Sequence, residues 1–258
     1  MARDLVSVLL AEKADKISGG VYNKLQVDFA YNSNHIEGSK LTHDQTRYIY
    51  ETQTVGIEPA RVDDIIEAVN HFRCFDKVIA TYKDKITPDY IKSLHFTLKS
   101  STLSSEREEA VVGDYKKFPN YVGDMKTASP ETVNASVDAL LRDYNMIESV
   151  DLYDILAFHA DFEKIHPFYD GNGRVGRLLM FKECLKHEIV PFFIEDTYKG
   201  YYYRGLNEWQ TGGEKGFLID TCLMMQDKMK AILDYFRIDY DKTEITTQDL
   251  LNNSERNR

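Results

Sequence analysis

His166-Pro167-Phe168-Tyr169-Asp170-Gly171-Asn172-Gly173-Arg174-Val175-Gly176-Arg177 is the stretch that decides how this chain folds. Asp151 to Lys164 before it, and Val175, Leu178, Leu179 and Leu185 after it, carry helical apolar spacing. The run therefore reads as a helix, a tight loop and a second helix whose first turn is made of small residues. Unpaired backbone N–H groups at such a turn favour anions, phosphates above all. Gly171 and Gly173 let the backbone approach a ligand closely, and the Asn172 amide offers one more donor.

Three further groups give this loop a chemistry. Arg174 and Arg177, three apart, leave the same side of the helix and suit successive phosphates of a nucleotide. The Asp170 carboxylate suits a Mg²⁺ that bridges phosphates and completes its shell with water. His166 carries an imidazole able to take a proton from an attacking hydroxyl. Each feature alone has an ordinary structural reading as a turn, a solvated arginine or a capping histidine; their joint occurrence within twelve residues points to phosphate chemistry.

Outward from the loop, the chain is mainly α. Val21, Leu25 and Phe29 recur every four residues, and Val62, Ile65, Ile66, Val69 and Phe72 trace one helix face. Thr42 with Gln45 reads as a capping box opening a helix over 43–53. Thr87-Pro88 and Ser129-Pro130 place a capping residue before a first-turn proline. Residues 110–126, AVVGDYKKFPNYVGDMK, break the helical pattern with glycines, a Phe-Pro-Asn and β-favouring residues, and predict a short hairpin that rests on the helices or serves as a flap. Further helical patterns run near 201–209 and 217–236, whereas 241–258 is polar and reads as a mobile tail or a fraying helix. One domain over 1–240 is expected, with no internal repeat.

Composition excludes several classes. A net charge of -10 argues against nucleic-acid binding, and no run of about twenty apolar residues marks a membrane span. Acids interrupt the N-terminal apolar stretch MARDLVSVLLAEKAD, which argues against export. Cys74, Cys184 and Cys222 are widely spaced and odd in number, as expected of buried thiols in a reducing cytoplasm.

The run 166–177 resembles the Fic family signature HPFxxGNGRxxR and matches it at every fixed position. The resemblance implies a Fic fold: a helical bundle around a central helix-loop-helix (about 151–187) with one hairpin flap. It also implies transfer of AMP from ATP, with Mg²⁺ or Mn²⁺, to a Ser, Thr or Tyr hydroxyl of a protein target or of the chain itself. His166 would be the general base, Asp170 the metal ligand, Gly171, Asn172 and Gly173 the anion hole, and Arg174 and Arg177 the grip on the β- and γ-phosphates. Gly113-Asp114-Tyr115-Lys116 with Lys117, Asn120, Tyr121 and Val122 is similar to the family's target-docking flap, and Tyr202 and Tyr203 to the lining of its adenine pocket.

Ser33-Asn34-His35-Ile36-Glu37-Gly38 resembles the family's inhibitory motif (S/T)xxxE(G/N), at the end of a helix over about 21–38. The resemblance implies that Ser33, Glu37 and Gly38 form a brake in which Glu37 pairs with Arg177. It equally permits Glu37 to activate water for removing AMP. Other transfers by the same loop stay open, as does a nucleotide-binding regulatory or toxin-type interaction module. Relatives of this kind often self-associate, so a homo-oligomer is among the expectations.

Overall fold

In the computed structural model, residues 3–56, 58–123 and 125–256 are described. Asp124 of the expected flap and residues 257–258 of the expected tail lie outside them, as do Met1, Ala2 and Ile57. The N-terminal helices are α1 (Leu5–Ala14), α2 (Val21–Ile36), α3 (His43–Thr52), α4 (Val62–Ala80) and α5 (Pro88–Lys99). Two short strands follow, β1 (Tyr121–Val122) and β2 (Met125–Lys126). Then come α6 (Val133–Asn145), α7 (Leu152–Ile165), α8 (Asn172–Lys186), α9 (Lys199–Thr211), α10 (Gly216–Phe236) and α11 (Thr247–Arg256).

The helix starts have the chemistry expected of them. Thr42 and Gln45 exchange both bonds of a capping box, and so do Asp151 and Asp154 at the head of α7. The Thr87 hydroxyl accepts from Tyr90 N ahead of Pro88. Ser129-Pro130 behaves differently: its residues form a turn, with Thr132 N and Val133 N both donating to Ser129 O, and α6 begins only at Val133.

Apolar residues surround α8, which makes it the central helix. Val175, Leu178, Leu179, Met180, Phe181 and Cys184 are all fully buried, so no face of it is left for solvent. The buried face of α7, with Ile155, Leu156 and Phe162, packs along it. Helix α2 crosses above, where the Phe29 ring lies 5.3 Å from that of Phe181 and stacks at 5.6 Å on Phe193. This contact brings the C-terminal end of α2 to the N-terminal end of α8. A second, smaller cluster of Ala30, Leu41, Ile49, Ala68 and Phe72 joins α2, α3 and α4.

Two expectations need correction. The hairpin is far shorter than 110–126, with only Tyr121 opposite Lys126 and Val122 opposite Met125. Its first half instead runs irregularly against the loop between α7 and α8, where Lys116 N donates to Pro167 O at 2.9 Å. The expected tail contains α11, whose Leu250 is buried beside α7 and α10 and whose Thr247 hydroxyl bonds to Asp220. Leu251 packs partly buried against the same core, so two adjacent leucines in a polar stretch seat that helix. The three cysteines are free and buried, as expected, and burial pushes the Cys74 thiol up to about 12. Among the described residues, no helix is long and apolar enough to cross a membrane.

Candidate active site

Helix α7 ends on His166 in the left-handed region, at φ 52° and ψ 62°, with its N–H on Phe162 O. A non-glycine residue seldom takes this conformation. Here it turns the chain sharply from α7 into the loop. The His166 Nδ1 lies 3.3 Å from Glu163 O, so the ring carries its proton on Nδ1 and leaves Nε2 with a lone pair. Burial pushes this imidazole down to about 4, which keeps it neutral at neutral pH with the Nε2 lone pair unprotonated.

The loop is braced from within. Asn172 accepts from Phe168 N and donates to Phe168 O, both at 2.8 Å, so its amide faces inward and shapes the loop. This corrects the expectation that the Asn172 side chain offers a donor to an anion; only its backbone N–H, in the first turn of α8, is placed where such a donor would be needed. Gly171 caps α8 at φ 86°, a value that favours glycine, and a Cβ there would lie 3.4 Å from Lys99 Cδ. Phe168 stacks flat on His95 at 3.8 Å. His95 Nε2 donates to Asp170 O and its Nδ1 accepts from Gly113 N, both at 3.0 Å, which ties the loop to the base of the flap.

Charge converges at the head of α8. The Asp170 carboxylate meets Lys99 Nζ at 2.6 Å and Arg174 Nη2 at 3.5 Å. Glu67 of α4 meets the same two cations, Lys99 Nζ and Arg174 Nη1, at 2.6 Å each. Burial would raise the Asp170 carboxyl, but Arg174 and Lys99 outweigh it and hold it at about 2. A cleft of about 700 Å³, lined by Glu37, Glu67, Arg107, Asp170 and Arg174, opens on this group.

Arg177, whose side chain is only 1% exposed, points to the end of α2. Its Nε donates to Ser33 Oγ at 3.1 Å, and its Nη2 donates to Ser33 O at 2.9 Å and to Glu37 Oε1 at 2.7 Å. Burial works against its charge, and Glu37 more than restores it. Glu37 caps α2, and Gly38 turns the chain away at φ 98°. Ser33, Glu37 and Arg177 are thus brought together as expected.

Two other groups of expected residues fall differently. Lys116 is 2% exposed and donates to Asn120 Oδ1, Thr127 Oγ1 and His166 O at 2.6–2.8 Å. It pins the flap to the catalytic loop and cannot meet a target, and Asn120 also turns inward, onto Phe168 O. Lys117, Tyr121 and Val122 do face solvent. Tyr202 is 1% exposed with its hydroxyl 2.6 Å from His159 Nε2, so it is a wall behind Arg177 and no lining of an open adenine pocket. Tyr203 stands at the surface beside Ile36 O.

Glu67, Lys99 and His95 are missing from the sequence reading. A faint signal existed for Glu67: Asp64, Glu67 and His71 lie at helical spacing next to the apolar stripe of α4.

Residues 85–184, which hold the whole loop, all of α7 and most of α8, match the Fic/DOC family. The chain carries a domain of that family. Similar proteins include the protein adenylyltransferase Fic of Nematostella vectensis, 26% identical over 194 residues, or 73% of this chain and 44% of that protein. The Drosophila melanogaster protein of the same name is 27% identical over 193 residues, or 73% of this chain and 38% of its own length. The chain therefore spans less than half the length of these curated relatives. A solved Fic-domain-containing signaling protein from Bacteroides thetaiotaomicron shares the fold at TM-score 0.70 and 22% identity, over 89% of this chain and 95% of that one. Fic-1 of C. elegans gives TM-score 0.70 at 19% identity, over 90% and 72%. Around the Fic signature, the Fic domain here keeps the helical bundle and short hairpin expected of that fold.

Proposed function

We propose that this chain transfers AMP from MgATP to a hydroxyl of a protein target or of itself, and that Glu37 restrains the reaction. The names of the curated relatives support the transfer. The observation that carries the reading is a neutral His166, its Nε2 free to accept, at the same helix junction as the glycine turn, Arg174 and Arg177.

In this reading the target oxygen attacks the α-phosphorus while its proton passes to His166 Nε2. The bond to the bridging oxygen of the β-phosphate breaks, and pyrophosphate leaves. The N–H groups of the first turn of α8 and the side chain of Arg174 hold the phosphates in place. The donor set fits a magnesium ion. Asp170 is a hard carboxylate held ionised, and among the described residues no group of three His, Cys, Asp or Glu could enclose a metal by protein alone. Such an ion, held by Asp170, would neutralise phosphate charge. Three buried free thiols agree with a reducing compartment, and we place the reaction in the cytoplasm.

Glu37 restrains the site by taking Arg177 away from the phosphates, which spoils positioning of the nucleotide. The test is intact mass after incubation with MgATP. Glu37→Gly should gain the mass of one adenylate, and adding His166→Ala should abolish the gain. Label at the α-phosphate should reach protein and label at the γ-phosphate should not; transfer of γ-label alone would overturn the reading.

A further inference from the structure

The cation that already occupies Asp170 belongs to the protein. Lys99 Nζ lies 2.6 Å from Asp170 Oδ2 and 2.6 Å from Glu67 Oε1, while Arg174 bridges the same two carboxylates from the other side. Two carboxylates and two cations thus close a ring. The Lys99 side chain is only 4% exposed, against 46% for Asp170. Its stem runs along Gly171, so the ammonium is fixed by packing before any ligand arrives. An exposed lysine that loses a carboxylate turns to water; this one has little water to turn to.

We propose that Lys99 competes with divalent metal for Asp170, so that metal enters this site together with the nucleotide and binds poorly without it. The inference rests on the reading of the site as a MgATP site. A divalent ion arriving alone must displace a preorganised ammonium and adds charge to a ring that is already neutral. A metal arriving on a triphosphate brings anionic oxygens that compensate Lys99 and Arg174 as Asp170 is released. Metal and nucleotide therefore bind with positive coupling, and each tightens the other by the same factor.

The probe is Mn²⁺ alone, with its free concentration read by electron paramagnetic resonance on the full chain, without nucleotide. Lys99→Met should tighten Mn²⁺ binding by about tenfold, and adding Asp170→Asn should reverse the gain. Arg107→Gln removes the same charge from the same cleft without touching the Asp170 contact, and should change the affinity less than about twofold. Should Lys99→Met fail to fold, Lys99→Gln keeps a polar head and reads the same quantity. Equal tightening by the Arg107 variant overturns the proposal, as does a gain that survives Asp170→Asn or no gain at all. Failure here is distinct from failure of the transfer reading. Adenylate gained by Glu37→Gly with Mn²⁺ affinity unchanged in the Lys99 variants sinks this inference alone, whereas the reverse pattern sinks the transfer alone.

Discussion

The Glu37 carboxylate lies directly over Gly173, so closely that a Cβ built on the glycine would overlap Glu37 Oε1 and come within 2.9 Å of Arg177 Nη1. Glu37 therefore occupies the glycine turn proposed to hold the phosphates as well as the arginine beyond it. An anion and this carboxylate cannot share the turn, because like charges at contact repel strongly in a buried setting.

From that exclusion follows the behaviour of Glu37→Gly. Adenylate incorporation should rise about ten- to hundredfold, the scale on which correct positioning acts. The variant should also lose about 2 kcal/mol of stability, since Arg177 is left buried against Ser33 and the Tyr202 ring with no carboxylate to pair its charge. Inorganic pyrophosphate should restore that loss by replacing the missing charge. Thermal melts check this: equal stabilisation of parent and variant by pyrophosphate would mean that Glu37 does not compete for the anion.

Acid should unfold this protein earlier than its carboxylates alone require. Burial pushes His71 and His159 down to about 3, and His95 and His166 down to about 4. In the unfolded chain these imidazoles titrate near 6.5. Between about 6.5 and 4 the unfolded state therefore binds more protons, and stability falls as pH drops. Each of the three fully buried rings, His71, His95 and His159, contributes on the order of 1 kcal/mol per pH unit in that window. Urea midpoints at pH 5, 6 and 7 check the slope; a flat profile would contradict buried neutral rings.

Glu163 acts in the opposite sense. Its carboxyl, with Oε1 buried and unpartnered, is pushed up to about 8 by burial. Folded, it keeps its proton where the unfolded chain has lost it, so its contribution is fully present below about 4.5 and declines as pH rises towards 8. Glu163→Gln should remove this decline and flatten the urea midpoint between pH 6.5 and 8 relative to the parent.

The reach of sequence reasoning follows the range of the interactions. Caps such as Thr42 with Gln45 are local, and the glycine turn from Gly171 to Gly173 is a property of consecutive residues, so both were legible. The Glu37–Arg177 pair spans 140 residues and was reached through a resemblance, since nothing in local spacing points to it. The ring of Glu67, Lys99, Asp170 and Arg174 joins three helices and a loop, and no single segment carries its signature. Lys116 was misplaced for a related reason. A lysine in a polar, β-favouring stretch reads as exposed, and it is the backbone carbonyls of Ile165 and His166 and the side chains of Asn120 and Thr127, distant in sequence or unremarkable alone, that draw it inward.

His95 should position the loop for reaction. His95→Phe keeps a ring on Phe168 but leaves Gly113 N–H and Asp170 C=O without their partner. The expected cost is about 2 kcal/mol of stability. In the Glu37→Gly background, incorporation at saturating ATP should fall about tenfold, with ATP affinity little changed. Loss of stability with full incorporation would reduce His95 to a structural role.

Lys116 and Tyr121 separate the two jobs of the flap. The Lys116 ammonium satisfies Asn120, Thr127 and the His166 carbonyl at once, so Lys116→Met should cost about 2–3 kcal/mol and loosen the junction beneath His166. Tyr121 and Val122 are exposed on a two-residue ladder, and Tyr121→Ala or Val122→Ala should stay within about 0.5 kcal/mol of the parent. The same two changes should nonetheless alter which protein or peptide is labelled, because an extended target that pairs with the ladder meets these side chains first. Urea unfolding set beside target labelling measures both. A Tyr121 variant that unfolds early, or a Lys116 variant as stable as the parent, would reverse the division: anchoring would then belong to the outer strand, and the buried ammonium would be free to serve the target.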